Sequence, residues 1–191
     1  MRHYCITGGI GSGKSYISRL IERYGFDVYD SDSAAKRLMN SSPEIQSLLK
    51  ELIGDNAYTD GKLNKPVVAQ FLLASEENKH AINAIVHPAV MEDFMQSGLQ
   101  FMECAIVFEA NLQHYFDKVI AVLAPLDVRI QRITERDGIT KKKAIEWIYA
   151  QYPQEILEHE ANILIINDGI EPAENQVRYV LQLLDLEEPA D

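Results

Sequence analysis

Apolar and polar positions alternate between two periods along this chain. "HYCIT" (3–7) is a short β-type run. From Lys14 to about Tyr24 the residues Ile17, Leu20, Ile21 and Tyr24 recur at helical spacing, and Gly25 ends the helix they predict. "FDVYD" (26–30) alternates as a second strand, after which Ser31 can cap a helix carrying Ala34, Ala35, Leu38 and Met39. Residues 43–53, 65–74 and 78–97 read as helices, the last interrupted at His87–Pro88. "CAIVF" (104–108) and "KVIAVLA" (118–124) are continuous apolar runs, the pattern of strands buried on both faces. Pro125 opens a helix over about 126–136, a polar helical stretch covers 137–160, and "ILIIN" (163–167) is a fifth strand. A helix over about 171–185 closes the chain, and "LEEPAD" reads as a frayed acidic tail.

Strands separated by helices predict an α/β fold: a parallel five-stranded sheet between two helical layers. Two blocks interrupt that rhythm, one helical at about 40–100 and one charged at about 137–160. The core is then 1–39, 101–136 and 161–191.

Composition narrows the function classes. With 191 residues, 47% of them hydrophobic, the chain has enough apolar material for one sizeable core. A formal charge of −11 disfavours non-specific nucleic-acid binding, although a local pocket can still take an anion. No apolar run approaches the ~20 residues of a membrane span, and the N-terminus lacks a secretory h-region. Cys5 and Cys104 sit in apolar stretches and read as buried, reduced thiols. A soluble cytoplasmic protein is expected.

The chemistry begins at "TGGIGSGKS" (7–15), which fits GxxxxGK[ST] with Gly8, Gly13, Lys14 and Ser15 in register. A loop whose amides turn inward makes an anion cradle, and Gly8, Gly9, Gly11 and Gly13, with Ile10 and Ser12 between them, give the backbone the freedom to form one. The helix that follows adds its unpaired N–H groups, Lys14 a point charge for the β- and γ-phosphates, and Ser15 a hydroxyl for Mg²⁺. The flanking strand and amphipathic helix are the context such a phosphate-binding loop requires. The motif points to a nucleoside triphosphate and is silent about the acceptor. Asp30 and Asp32 in "VYDSD" lie at the carboxyl end of the second predicted strand, the edge where open α/β sheets bind ligands. A carboxylate there can take a proton from an attacking hydroxyl or orient Mg²⁺ waters; the same pair also suits a helix cap.

"TGGIGSGKS", "YGFDVYDSDSAAKRL", "DGKLNK", "IVHP", "FE", "RITERDG", "AQYPQE" and "IIND" follow in that order. Together they resemble the dephospho-CoA kinase family over essentially the whole chain. The resemblance implies a P-loop kinase core, a helical CoA-binding insertion at about 40–100 and a lid at about 137–160. It implies transfer of the γ-phosphate of ATP, with Mg²⁺, to the ribose 3′-hydroxyl of dephospho-CoA. Carried over by position, Asp32 matches the acid proposed in the family as general base and Asp30 the first acid of the same string on the substrate side; the sequence leaves open which of the two takes the proton. Lys14 and Arg136 act in catalysis, and Arg132 and Arg136, one helical turn apart, reach the same phosphates. Asn167 lies near the adenine, Tyr16 follows the P-loop serine within the ATP site, and His87 contacts the CoA substrate. The chain departs from the family at Tyr16 (usually Thr), Lys65 (commonly Arg), Arg129 (commonly Gln) and Leu157 (frequently Lys). Two other readings share the loop: another small-molecule P-loop kinase, such as one acting on a nucleoside monophosphate, and a nucleotide-dependent switch module. The long helical block and the arginines before the lid favour the first-named family.

Overall fold

The computed structural model describes residues 1–186. In chain order it runs β1 (Tyr4–Thr7), α1 (Lys14–Arg23), β2 (Val28–Asp30), α2 (Ser31–Ser41), α3 (Pro43–Ile53), β3 (Tyr58–Thr59), β4 (Lys62–Leu63), α4 (Lys65–Ala74) and α5 (Glu76–Ser97). There follow β5 (Phe101–Glu103), β6 (Lys118–Leu123), α6 (Leu126–Asp137), α7 (Lys141–Tyr149), α8 (Gln154–Glu160), β7 (Ile163–Ile166) and α9 (Ala173–Leu183). The acidic end beyond Leu186, expected to fray, lies outside the described residues.

The chain divides into two compact units, Met1–Tyr29 with everything from Leu99 onward, and Asp30–Gly98. The first holds the five-stranded parallel sheet, in the order β2-β5-β1-β6-β7. β1 is central, paired with β5 on one side and β6 on the other with Tyr4 opposite both Phe101 and Lys118, and all four of its residues are buried. Ile17, Leu20 and Ile21 of α1 and Val177, Val180 and Leu181 of α9 pack with Ile6, Phe101, Ile120, Val122 and Ile165 of the strands. Each such side chain contributes about 1.5–3 kcal/mol by leaving water. The predicted helix and strand around Gly25 are therefore present, and the amphipathic stripe of α1 faces the sheet. On the remaining surface of β6, Leu157 of α8 packs with Ala121 and Leu123. The cysteines are buried thiols, and burial pushes the Cys5 thiol well above its ordinary value.

Four expectations are corrected. The strand predicted at 104–108 lies earlier, at Phe101–Glu103; residues 105–111 are turns closed by Ala110 N–H to Ile106 O and Leu112 N–H to Val107 O. An apolar run can be buried as turns as readily as in a strand, and Cys104 and Val107 are buried this way. The cap of α2 is Asp30, one residue before the Ser31 expected. His87–Pro88 does not interrupt α5, which runs through Pro88. The polar stretch 137–160 is two helices, α7 and α8, broken before Pro153.

The second unit gathers α2, α3 and α4 around α5, with Arg37 of α2 paired to Asp93 of α5 at 2.5 Å. Ser42 and Ser75 cap α3 and α5 by accepting from Ile45 N–H and Asn78 N–H. β3 and β4 are an unforeseen hairpin turning on Asp60 and Gly61, both at positive φ, as the Asp-Gly pair favours. Among the described residues no helix is long and apolar enough to cross a membrane.

Candidate active site

The loop between β1 and α1 is a cradle because side chains are sterically barred from it. Gly13, the residue before α1, has φ 93°, a left-handed conformation, and a Cβ there would collide with Nδ2 of Asn167. Gly11, at φ 80°, lies flat on α6, where a Cβ would come within 2.8 Å of the Arg129 carbonyl. Lys14 begins α1 directly after this loop, so the helix's unpaired amides open toward it.

Glu103, at the end of β5, ties the chemistry of the loop together. Its Oε1 accepts from Lys14 Nζ at 2.5 Å and from Ser15 Oγ at 2.7 Å; its Oε2 accepts from Ser18 Oγ at 2.7 Å. Burial pushes the Glu103 carboxyl up, but the hydrogen bond and charge of Lys14, with the two hydroxyls, outweigh it and leave it below the usual carboxylate range. The sequence reading did not find Glu103, because it placed the strand one residue too late to include it. An acid closing the neighbouring strand was the available signal. Among the described residues no three His, Cys, Asp or Glu gather as a metal cluster. One hydroxyl and one carboxylate, both hard oxygen donors, nonetheless suit a Mg²⁺ that keeps its waters and takes phosphate oxygens.

α6 supplies the opposing wall. Arg132 donates Nη1 to the carbonyls of Gly11 (3.3 Å) and Ser12 (3.1 Å), and Nη2 to that of Asn167 (3.0 Å). It thereby ties the loop to α6 and to the end of β7. Arg136, expected to share phosphates with it, instead forms a two-point pair with exposed Asp137 at 2.9 and 2.7 Å. Both arginines line the same cavity of about 540 Å³, together with Gly8, Gly9, Lys14, Ser15 and Tyr16. Asn167 is buried, with Nδ2 donating to Ser12 O at 2.8 Å, so it braces the loop from behind. The Tyr16 hydroxyl donates to Glu174 at 2.9 Å. Ile10 is held from two sides: its N–H donates to Gln151 Oε1 at 2.6 Å, and its carbonyl accepts from Arg129 Nε at 2.9 Å. Gln151 and Arg129 were not among the expected site residues.

The remaining expected residues lie in the second unit. Asp30 caps α2: Oδ1 accepts from Asp32 N–H (3.0 Å) and Ser33 N–H (3.2 Å), and Oδ2 from Ser33 Oγ (2.7 Å). Asp32, in the first turn of α2, is exposed, and its carboxylate has no hydrogen-bond partner among the described residues. His87 is half-buried on α5, and burial pushes its imidazole down. Leu157, where the resemblance leads one to look for a lysine, is buried in the apolar layer on β6.

Known proteins share this fold and this sequence pattern. A protein of Thermus thermophilus of known structure superposes with a TM-score of 0.76 at 29% identity, covering 96% of each chain. A dephospho-CoA kinase from Campylobacter jejuni (TM-score 0.66, 19% identity, 96% of this chain and 98% of that one) and a shikimate kinase from Bacteroides thetaiotaomicron (0.60, 12%, 97% and 99%) share the fold. The dephospho-CoA kinase of Bacteroides fragilis is 36% identical over 186 residues, spanning 94% of this chain and 91% of that protein. That of Porphyromonas gingivalis is 42% identical over 139 residues, 70% and 69% of the two chains. The family model for dephospho-CoA kinase matches residues 3–172. With the fold, the loop and the match running together over nearly its full length, the chain belongs to the dephospho-CoA kinase family.

Proposed function

We propose that the cavity between the P-loop and α6 takes the triphosphate of ATP and that a carboxylate of the helical unit readies the acceptor. The chain, as a member of its family, is an ATP-dependent phosphotransferase with an alcohol acceptor, acting in coenzyme A biosynthesis. The observation that carries the residue assignment is the knot of Lys14, Ser15 and Glu103 at the mouth of the glycine loop. It is a cation, a hydroxyl and a carboxylate at hydrogen-bonding distance, beside the glycine loop.

On this reading Lys14 exchanges Glu103 for phosphate oxygens, and the loop amides hold the rest of the tail. Ser15 and Glu103 would hold Mg²⁺, which when bound supplies charge neutralisation on the phosphate oxygens. Asp32 accepts the proton of the 3′-hydroxyl of dephospho-CoA as its oxygen bonds to the γ-phosphorus. The bond from that phosphorus to the β–γ bridging oxygen breaks, and ADP leaves. Asp30 is engaged as a cap, which leaves Asp32 as the carboxylate available for the proton. Arg136 stabilises the migrating phosphoryl oxygens; its exposed pair with Asp137 is of the kind that exchanges readily. Arg132, Asn167 and Tyr16 shape the nucleotide site, His87 and the helical insertion take the CoA side, and 137–160 closes as a lid against water. The expected setting is the cytoplasm.

The test is ATP consumption with purified protein and Mg²⁺, with dephospho-CoA against a panel of nucleoside monophosphates. Turnover with dephospho-CoA and none with its 3′-deoxy analogue is expected. Turnover with a monophosphate alone would overturn the acceptor assignment.

A further inference from the structure

Among the described residues, Arg129 carries a charge that no carboxylate pairs with directly. Its side chain sits on α6 with 5% of the residue exposed, against the back of the loop. Nε donates to the Ile10 carbonyl at 2.9 Å, and its other nitrogens have no hydrogen-bond partner among the described residues. Among the described residues no carboxylate forms an ion pair with it; Glu155 attracts it from farther away. Burial accordingly pushes the guanidinium down from its ordinary value, with Glu155 acting the other way. Its neighbour Arg132 is the contrast: three carbonyls accept from that side chain. Buried charges are as a rule paired, because leaving water without a counter-charge is expensive. Glu103, the nearest acid of the loop chemistry, is already taken by Lys14.

The position of the guanidinium points to the missing partner. A Cβ on Gly9 would lie 2.5 Å from Arg129 Nη2 and 3.3 Å from Gln151 Oε1. Gly9 and Gln151 both line the cavity. Nη2 of Arg129 therefore lies against Gly9, a wall residue of the cavity with no side chain. With 5% of the residue exposed, the charge is screened less than one at the open surface and is felt across a single backbone layer.

We propose that Arg129 is a phosphate-neutralising residue of the nucleotide site, a guanidinium built into the wall of the loop whose counter-charge is the phosphate tail of the bound nucleotide. The proposal rests on the reading of the cavity as an ATP site and adds one residue to it. Arg129 then contributes to affinity in proportion to the number of phosphates bound, and less to the nucleoside.

Calorimetric titration of wild type and R129Q with ATP, ADP and AMP tests it. ATP binding is expected to weaken about tenfold or more in R129Q, ADP less, and AMP by under about twofold. R129K, which keeps the charge, should retain most of the ATP affinity. R129M serves by the same criterion if R129Q fails to fold. Unchanged ATP affinity, or an equal loss for all three nucleotides, overturns the proposal, the second outcome assigning Arg129 a purely architectural role. Failure of the wild-type protein to bind ATP at all would instead remove the underlying site reading.

Discussion

Replacing Glu103 separates the parts of the loop most cleanly. Its carboxylate receives one charge-assisted bond from Lys14 and two from hydroxyls, with the Lys14 and Glu103 side chains only 16% and 15% exposed. A hydrogen bond to a charged group contributes about 1.5–3 kcal/mol, and breaking a buried pair by removing one partner costs about 3–5 kcal/mol. Because this pair is not fully buried, Glu103→Ala should cost about 3 kcal/mol, and Glu103→Gln, which keeps one acceptor oxygen, about 1–2 kcal/mol. The pH dependence follows from the depressed carboxyl. Its contribution is fully present above the unfolded value of about 4.3 and is lost as pH falls through the lower folded value. Wild-type stability should thus fall on acidification through that window, and the Glu103→Gln curve should be flatter there. Urea unfolding at a series of pH values without nucleotide reads both quantities. Binding should move oppositely: Lys14 no longer has to leave a carboxylate, so ATP without Mg²⁺ should bind Glu103→Gln at least as tightly as wild type, while the gain on adding Mg²⁺ shrinks. Wild-type stability and an undiminished Mg²⁺ effect in Glu103→Gln would refute the reasoning.

Asp32→Asn should lower turnover about 10²-fold or more with ATP affinity kept, whereas Asp30→Ala should cost about 0.5–2 kcal/mol of stability as a lost cap; steady-state kinetics and melts on both variants check the division. Lys14→Ala should weaken nucleotide affinity and rate together, measured by calorimetry and turnover. Gly13→Ala should abolish nucleotide binding, since the added carbon meets the Asn167 amide and the residue needs a left-handed backbone; normal ATP affinity in that variant would show the loop tolerant of such a change.

What the sequence disclosed and what it hid divide along the distance between interacting residues. The loop from Gly8 to Ser15 was legible because its function is local: glycine, lysine and serine at fixed spacing next to a helix start. Glu103 was not, because its partners Lys14, Ser15 and Ser18 lie 89, 88 and 85 residues away and only the parallel sheet unites them. The same holds for Gln151, 141 residues from the Ile10 amide it receives. The spacing of Arg132 and Arg136 correctly put both on one cavity wall, but spacing could not say that Arg132 is occupied by three carbonyls. Arg129 was visible only as a departure from the family, without a task. In the fold, β5 was misplaced because Glu103 interrupts its apolar run and the uninterrupted stretch beside it looked the better strand. Pro88 reads locally as a stop, yet packing around α5 carries the helix through it.

That proline has a mechanical effect on its unit. α5 is 22 residues long, about 33 Å, and Pro88 offers no N–H to the carbonyl of Ala84. The segment before it is tied to α4, where Asn78 donates to Phe71 O at 2.9 Å; the segment after it is tied to α2 through Asp93. The two halves of α5 thus meet at one missing rung, and Pro88→Ala, by restoring it, should stiffen them into one rod, seen as slower amide exchange between residues 84 and 92.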